Sequence, residues 1–130
     1  MPHFIVEYTA NLEGQARIPD LLRKAVDVLT AEGYPLHGMR ARGLKIDQYQ
    51  LADGKRDYVM VHGILKVAPG HSAEHKKRTC EVVFDVMKAH FPEAFAGRYF
   101  MLSLEMIELV SGDGSPTLKY SNVGVSEMTP

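Results

Sequence analysis

The chain has 130 residues, a formal net charge of −1, 45% hydrophobic residues and 24% charged residues. That length suits one domain with a single core, and so balanced a charge gives no global field to draw nucleic acid or a membrane surface; a small anion would be met by local basic residues. The one cysteine, Cys80, excludes an intramolecular disulfide and a paired-thiolate metal site, and fits a reducing cytosol. The opening residues lack the basic start, apolar run and cleavage site of a signal peptide, and no run of about eighteen apolar residues occurs, so a cytoplasmic protein without a membrane span is expected.

Residues 2–9 alternate, with Phe4, Val6 and Tyr8 on one face and His3, Ile5 and Glu7 on the other, which predicts a strand. Its first residue, Pro2, becomes the N-terminus if Met1 is removed. Its nitrogen is then a free secondary amine, titrating at roughly 7.7–8.0 before any perturbation, close to the working pH of a general base. Asn11 to Gln15 reads as a polar connection.

Ile18, Leu21, Leu22, Ala25, Val26 and Leu29 recur at three- and four-residue spacing and predict a helix from Ile18 to Glu32, with Pro19 and Asp20 suited to its first turn and Gly33 to its end. A second strand is expected over residues 38–51, on Leu44, Ile46, Tyr49 and Leu51, and a third over Tyr58 to Val67. The turn signal at Asp53-Gly54 between them predicts a hairpin.

Ser72 suits the cap of a second helix, along which Cys80, Val83, Phe84, Met87 and Phe91 repeat at helical spacing until Pro92 closes the segment. Cys80 is expected in the core. A fourth strand is read over Tyr99 to Val110, then a loop, then a short strand between Leu118 and Val125.

The pattern is β-α-β over about 2–51, β-α-β over about 57–110, and a tail over 111–130, in one domain spanning 1–130. Each helix must lay its apolar face on a sheet. The expected fold is α+β, a four-stranded sheet with two helices on one face. The strands read as apolar on both faces, so the uncovered face calls for oligomerisation with sheets turned inward.

Arg40 and Arg42, two residues apart on one strand, leave the same face and can each fork onto a carboxylate. Lys76-Lys77-Arg78 reads as a solvated helix face, because no aromatic platform for bases accompanies it. His62 reads as a hydrogen-bonded core histidine rather than a metal ligand; no metal-ligand spacing links it to His37, His75 or His90.

A strand opened by proline and followed by tandem β-α-β units resembles the tautomerase superfamily, whose best-known fold is that of macrophage migration inhibitory factor. Within it, the opening Pro2-His3-Phe4-Ile5-Val6-Glu7, the segment Gly38-Met39-Arg40-Ala41-Arg42, Ala52-Asp53-Gly54 with Asp57-Tyr58 and Val61-His62, Lys88-Ala89-His90-Phe91, and Leu102-Ser103-Leu104-Glu105 with Ile107-Glu108 resemble the 5-carboxymethyl-2-hydroxymuconate isomerase family. The resemblance implies an isomerase of homoprotocatechuate breakdown that moves a proton along a conjugated polycarboxylate without metal or organic cofactor. It implies a homotrimer, Pro2 as proton carrier and Arg40 as the active-site arginine; Arg42, from its place on the same strand face, is a further candidate substrate contact. Beside Gly70 the family pattern carries arginine, whereas this chain has His71: a functional replacement at a helix N-terminus, where histidine is a weaker, pH-dependent anchor for an anion, a mark of a shifted substrate preference, or a position whose role Lys76 or another residue takes over. Two other readings are a superfamily enzyme acting on a different keto acid and a non-catalytic module binding a small acid or a protein.

Overall fold

The computed structural model describes residues 2–109 and Leu118. Four strands, β1 (His3–Thr9), β2 (Arg40–Ile46), β3 (Tyr58–Val67) and β4 (Tyr99–Glu108), form one sheet in the order β2-β1-β3-β4. Parallel pairs β1/β2 and β3/β4 flank an antiparallel β1/β3 junction. Each parallel pair needs a crossover, and the helices α1 (Ile18–Ala31) and α2 (Ala73–His90) supply them. The tandem β-α-β plan therefore stands.

Alternation along the strands divides the sheet. One face carries Phe4, Val6, Val59, Val61, Leu65 and Val67, all fully buried against Leu21, Ala25 and Leu29 of α1 and Val83 and Met87 of α2. The other face has no helix over it among the described residues.

The hairpin expected at Asp53-Gly54 does not form. β1 lies between β2 and β3, so the chain after β2 must pass its neighbour before pairing. The turn chemistry is real but local: Gly54 N–H donates to the Leu51 carbonyl at 2.9 Å, and the Asp53 carboxylate accepts from Lys55 N–H and Tyr58 O–H. Tyr49 and Leu51 accordingly fall outside β2.

Helix boundaries follow the sequence closely. Ser72 caps α2 by accepting from the His75 N–H at 3.0 Å. Pro92 ends α2 as expected, yet it also starts a short helix α3 (Pro92–Gly97), because proline is suited to a first helical turn. Cys80 is only half-buried; Thr79 takes the buried position beside it. The strand anticipated between Leu118 and Val125 lies, apart from exposed Leu118, outside the described residues, as does Val110 at the expected end of β4.

Two close approaches seat α1. A Cβ on Gly43 would stand 2.5 Å from the Ile18 Cγ2, so glycine lets the start of α1 lie on β2. Arg17, just before α1, has φ 44°, a left-handed conformation that costs a non-glycine residue about 1–2 kcal/mol. It is held by His90, only 2% exposed, whose Nε2–H donates to the carbonyls of Ala16 and Arg17 at 3.1 and 2.9 Å. The Arg17 guanidinium donates in return to the His90 carbonyl.

Burial lowers the His90 pKa from its ordinary value, aided by Lys24 and Arg17 and opposed by the two carbonyl contacts. The folded state thus binds this proton less readily than the unfolded chain. The contribution is present above the unfolded value, roughly 6.5, and is lost as pH falls through the lower folded value. Thermal melts should show Tm declining from about pH 7 to pH 5. His90→Gln, which keeps a donor but cannot titrate, should have a shallower decline.

Candidate active site

The register gathers the expected site residues at one end of the sheet. β1 starts where β2 starts and β3 ends: His3 is level with Arg40 on one side and Lys66 on the other. The loops from α1 into β2 and from β3 into α2 open at that same end, which brings in Tyr34, Met39 and His71.

Pro2 is buried at the head of β1. Its carbonyl accepts from the Arg40 N–H at 3.0 Å, which fixes the head of β1 against β2. By alternation its ring belongs to the helix side, but its nitrogen lies on the chain axis at the strand's end rather than on either face. Met1 lies outside the described residues.

Arg40 and Arg42 do leave one face, the open one, and both are exposed. Arg42 donates to Nδ1 of His3 at 3.1 Å. His3, unused by the sequence reading, stands in the row between Arg40 and Lys66. Partial burial lowers its pKa first, and Arg42, Arg40 and Lys66 lower it further. Among the described residues no acidic side chain pairs with Arg40, Arg42 or Lys66, whereas ion pairs occupy Lys76, Lys77 and Arg78 on α2 with Glu108, Glu81 and Glu32. The α2 run is thus a paired surface, and the open-face cations are not.

His71 stands apart from Arg40 and Arg42, in an aromatic group on the helix side. Its ring centroid is 4.6 Å from that of Tyr34 and 5.3 Å from that of His75, the two imidazoles being stacked. Tyr34, 3% exposed, donates its hydroxyl to Thr79 Oγ1 at 3.1 Å, and Thr79 in turn donates to the His75 carbonyl. Burial raises the Tyr34 pKa. Spacing along the chain could not bring out this group, since Tyr34 and His71 come from different loops.

His62 is hydrogen-bonded as expected but faces the open side, not the core. Its Nδ1 lies 2.6 Å from Ser103 Oγ and its Nε2 lies 2.9 Å from Glu105 Oε1. Among the described residues no group of histidine, cysteine and carboxylate side chains is arranged to hold a metal ion, and no helix is long and apolar enough to cross a membrane. A groove of about 440 Å³ between α2 and the edge strand β4, lined by Cys80, Phe84, Leu102 and Leu104, belongs to the far edge of the sheet.

Comparisons place this geometry among known proteins. Residues 2–124 match the family described as 5-carboxymethyl-2-hydroxymuconate isomerase. The chain is 39% identical over 126 residues to a 5-carboxymethyl-2-hydroxymuconate Delta-isomerase of Escherichia coli, covering 96% of each. It is similar to the crystal structure of a 5-carboxymethyl-2-hydroxymuconate isomerase from Deinococcus radiodurans, with 39% identity, TM-score 0.82, and 92% and 90% of the two chains covered. A fused 4-OT described as a symmetric trimer shares the fold at 15% identity and TM-score 0.65, with 86% and 89% covered.

Tyr34→Phe removes the buried hydroxyl contact and leaves the Thr79 hydroxyl its bond to the His75 carbonyl. Urea unfolding should show a loss of about 0.5–1.5 kcal/mol.

Proposed function

This chain belongs to the 5-carboxymethyl-2-hydroxymuconate isomerase family, is an isomerase of aromatic catabolism, and, we propose, uses Pro2 as its proton carrier once Met1 has been removed. What supports the assignment is the position of Pro2: buried at the head of an inner strand and tied by its carbonyl to the backbone of Arg40, whose guanidinium has no acidic partner among the described residues.

The reaction needs a proton taken from an enol oxygen and returned to a carbon farther along the conjugated system. The neutral Pro2 nitrogen accepts the O–H proton. The O–H electron pair becomes the carbonyl π bond, and the double bonds shift along the chain. The distal carbon then takes the proton back from the Pro2 ammonium, so base and acid are one group and nothing is gained or lost overall. An amine serves only while partly neutral. Burial and nearby cations both disfavour the ammonium, and both are at hand at the head of β1.

Arg40 has two uses in this reading. Its guanidinium forks onto the carboxylate beside the enol, and it stabilises the negative charge that grows on oxygen as the proton leaves. Arg42 binds a further carboxylate, and His71 flanks the site from the helix side. The substrate is a small unsaturated polycarboxylate, and no cofactor enters the scheme.

We extend the reading to a cytoplasmic homotrimer. Both edges of the sheet, β2 and β4, are unpaired among the described residues, and Leu44, Tyr99, Met101 and Ile107 of its open face are exposed apolar side chains. The lone cysteine needs no oxidising compartment.

Intact-mass measurement should find the active protein without Met1; an enzyme turning over while Met1 is retained would leave Pro2 an amide and end the mechanism. Pro2→Ala should lower kcat by about 10²–10⁴ on a conjugated enol acid followed by absorbance. Arg40→Ala should lower kcat by about 10²–10³, the range for losing one charge-stabilising donor. Sedimentation of a monomer would remove the trimer.

A further inference from the structure

The open-face cations at the Pro2 end form a patch larger than the reaction at the enol requires. Arg40 on β2, His3 on β1 and Lys66 on β3 stand side by side across three strands, and Arg42 follows Arg40 on the same face, level with Ile5. Adjacent strands lie about 4.8 Å apart and alternate residues on one strand about 6.6 Å apart, so the four side chains frame an area of roughly 10 by 7 Å. Like charges set on neighbouring strands repel and cost stability. Here no carboxylate relieves them among the described residues: Glu105 is engaged with His62, and Glu7 is level with Leu44 and His62, one row beyond Arg42. An unrelieved cluster beside a reacting centre is poised for an anionic ligand.

His3 gives the patch its order. Arg42 has only N–H donors, so the Nδ1 it reaches at 3.1 Å must be an acceptor, which places the proton of a neutral His3 on Nε2. Partial burial lowers the His3 pKa first, and the cations of the patch lower it further. An imidazolium could not accept from Arg42, so the neutral ring is the state that aims the guanidinium.

We propose that His3 is a positioning residue for Arg42, and that Arg42 and Lys66 together anchor the substrate carboxylate remote from the reacting enol. This rests on the Pro2 reading for the location of the reacting end, and it names the feature that makes the enzyme select polycarboxylates: the remote anchor is occupied only when the substrate carries a second carboxylate.

The test compares kcat/KM for 5-carboxymethyl-2-hydroxymuconate with that for 2-hydroxypenta-2,4-dienoate, a dienol with a single carboxylate. The parent should favour the polycarboxylate. Lys66→Met and His3→Leu should each cut that preference about tenfold, mostly through KM for the polycarboxylate, and His3→Asn, whose amide oxygen can still accept from Arg42, should recover most of it. A preference unchanged within twofold in Lys66→Met and His3→Leu, or a parent without preference, overturns the proposal. Equal losses in His3→Asn and His3→Leu overturn the positioning role of His3. Pro2→Ala run alongside should slow both substrates alike; if it slows neither, the Pro2 mechanism fails while the preference ratios still judge the anchor.

Discussion

The structure depends on β1 being an inner strand, paired on both sides, although it is the first element of the chain. It pairs in parallel with β2 and antiparallel with β3, over seven residues on one side and six on the other. A terminal segment is ordinarily where a domain frays. Here the ladder begins at its first residues, and the Arg40 N–H reaches back to the carbonyl of Pro2. A terminal amine that is to act as a base, the role proposed for Pro2, must be held as firmly as a side chain in a core, because a displaced base loses the advantage of position. Pairing on both sides supplies that rigidity without a side chain of its own.

The same pairing dictates the two faces. Both parallel pairs need crossovers, both crossovers are helical, and both helices cover the face that carries Phe4, Val6, Val61 and Leu65. The opposite face stays open. It is a mosaic rather than the apolar surface its strands suggest: Ile5, Ile64 and Met60 share it with His62, Ser103 and Glu105, and the cations lie at the Pro2 end.

Local signals carried most of the fold and little of the site. The span of β3 from Tyr58 to Val67 and the start of α1 at Ile18 are visible in the spacing of apolar residues, because a strand or helix half-buried on one side must repeat with its own period. Strand order is not local. Asp53-Gly54 has the chemistry of a hairpin turn, and only the insertion of β1 between β2 and β3 cancels it. Likewise Arg17 adopts a left-handed conformation for reasons found 73 residues away, at His90. Of the site, Pro2, Arg40 and Arg42 are visible as residue types in suggestive places. His3 and Lys66 become visible only through register, since nothing in an isolated strand says which cations will be its neighbours.

His71 connects the site to the question of where fixed charge resides. The family resemblance leads one to expect arginine at this point, and arginine keeps its charge at every relevant pH. In this chain the imidazole is instead stacked on His75 at 5.3 Å and packed beside Tyr34, a buried ring tied to Thr79. The helix side of the site therefore offers an aromatic surface, beside which the Lys76 cation is paired with Glu108 at 2.7 Å. Among the described residues, the cations Arg40, Arg42 and Lys66 of the open face have no acidic partner, unlike Lys76 and Arg78. A substrate held at this end would then lie with its carboxylates toward the open face and its conjugated, flat portion toward the rings, and Pro2, on the chain axis between the two, would stand where the proton must travel.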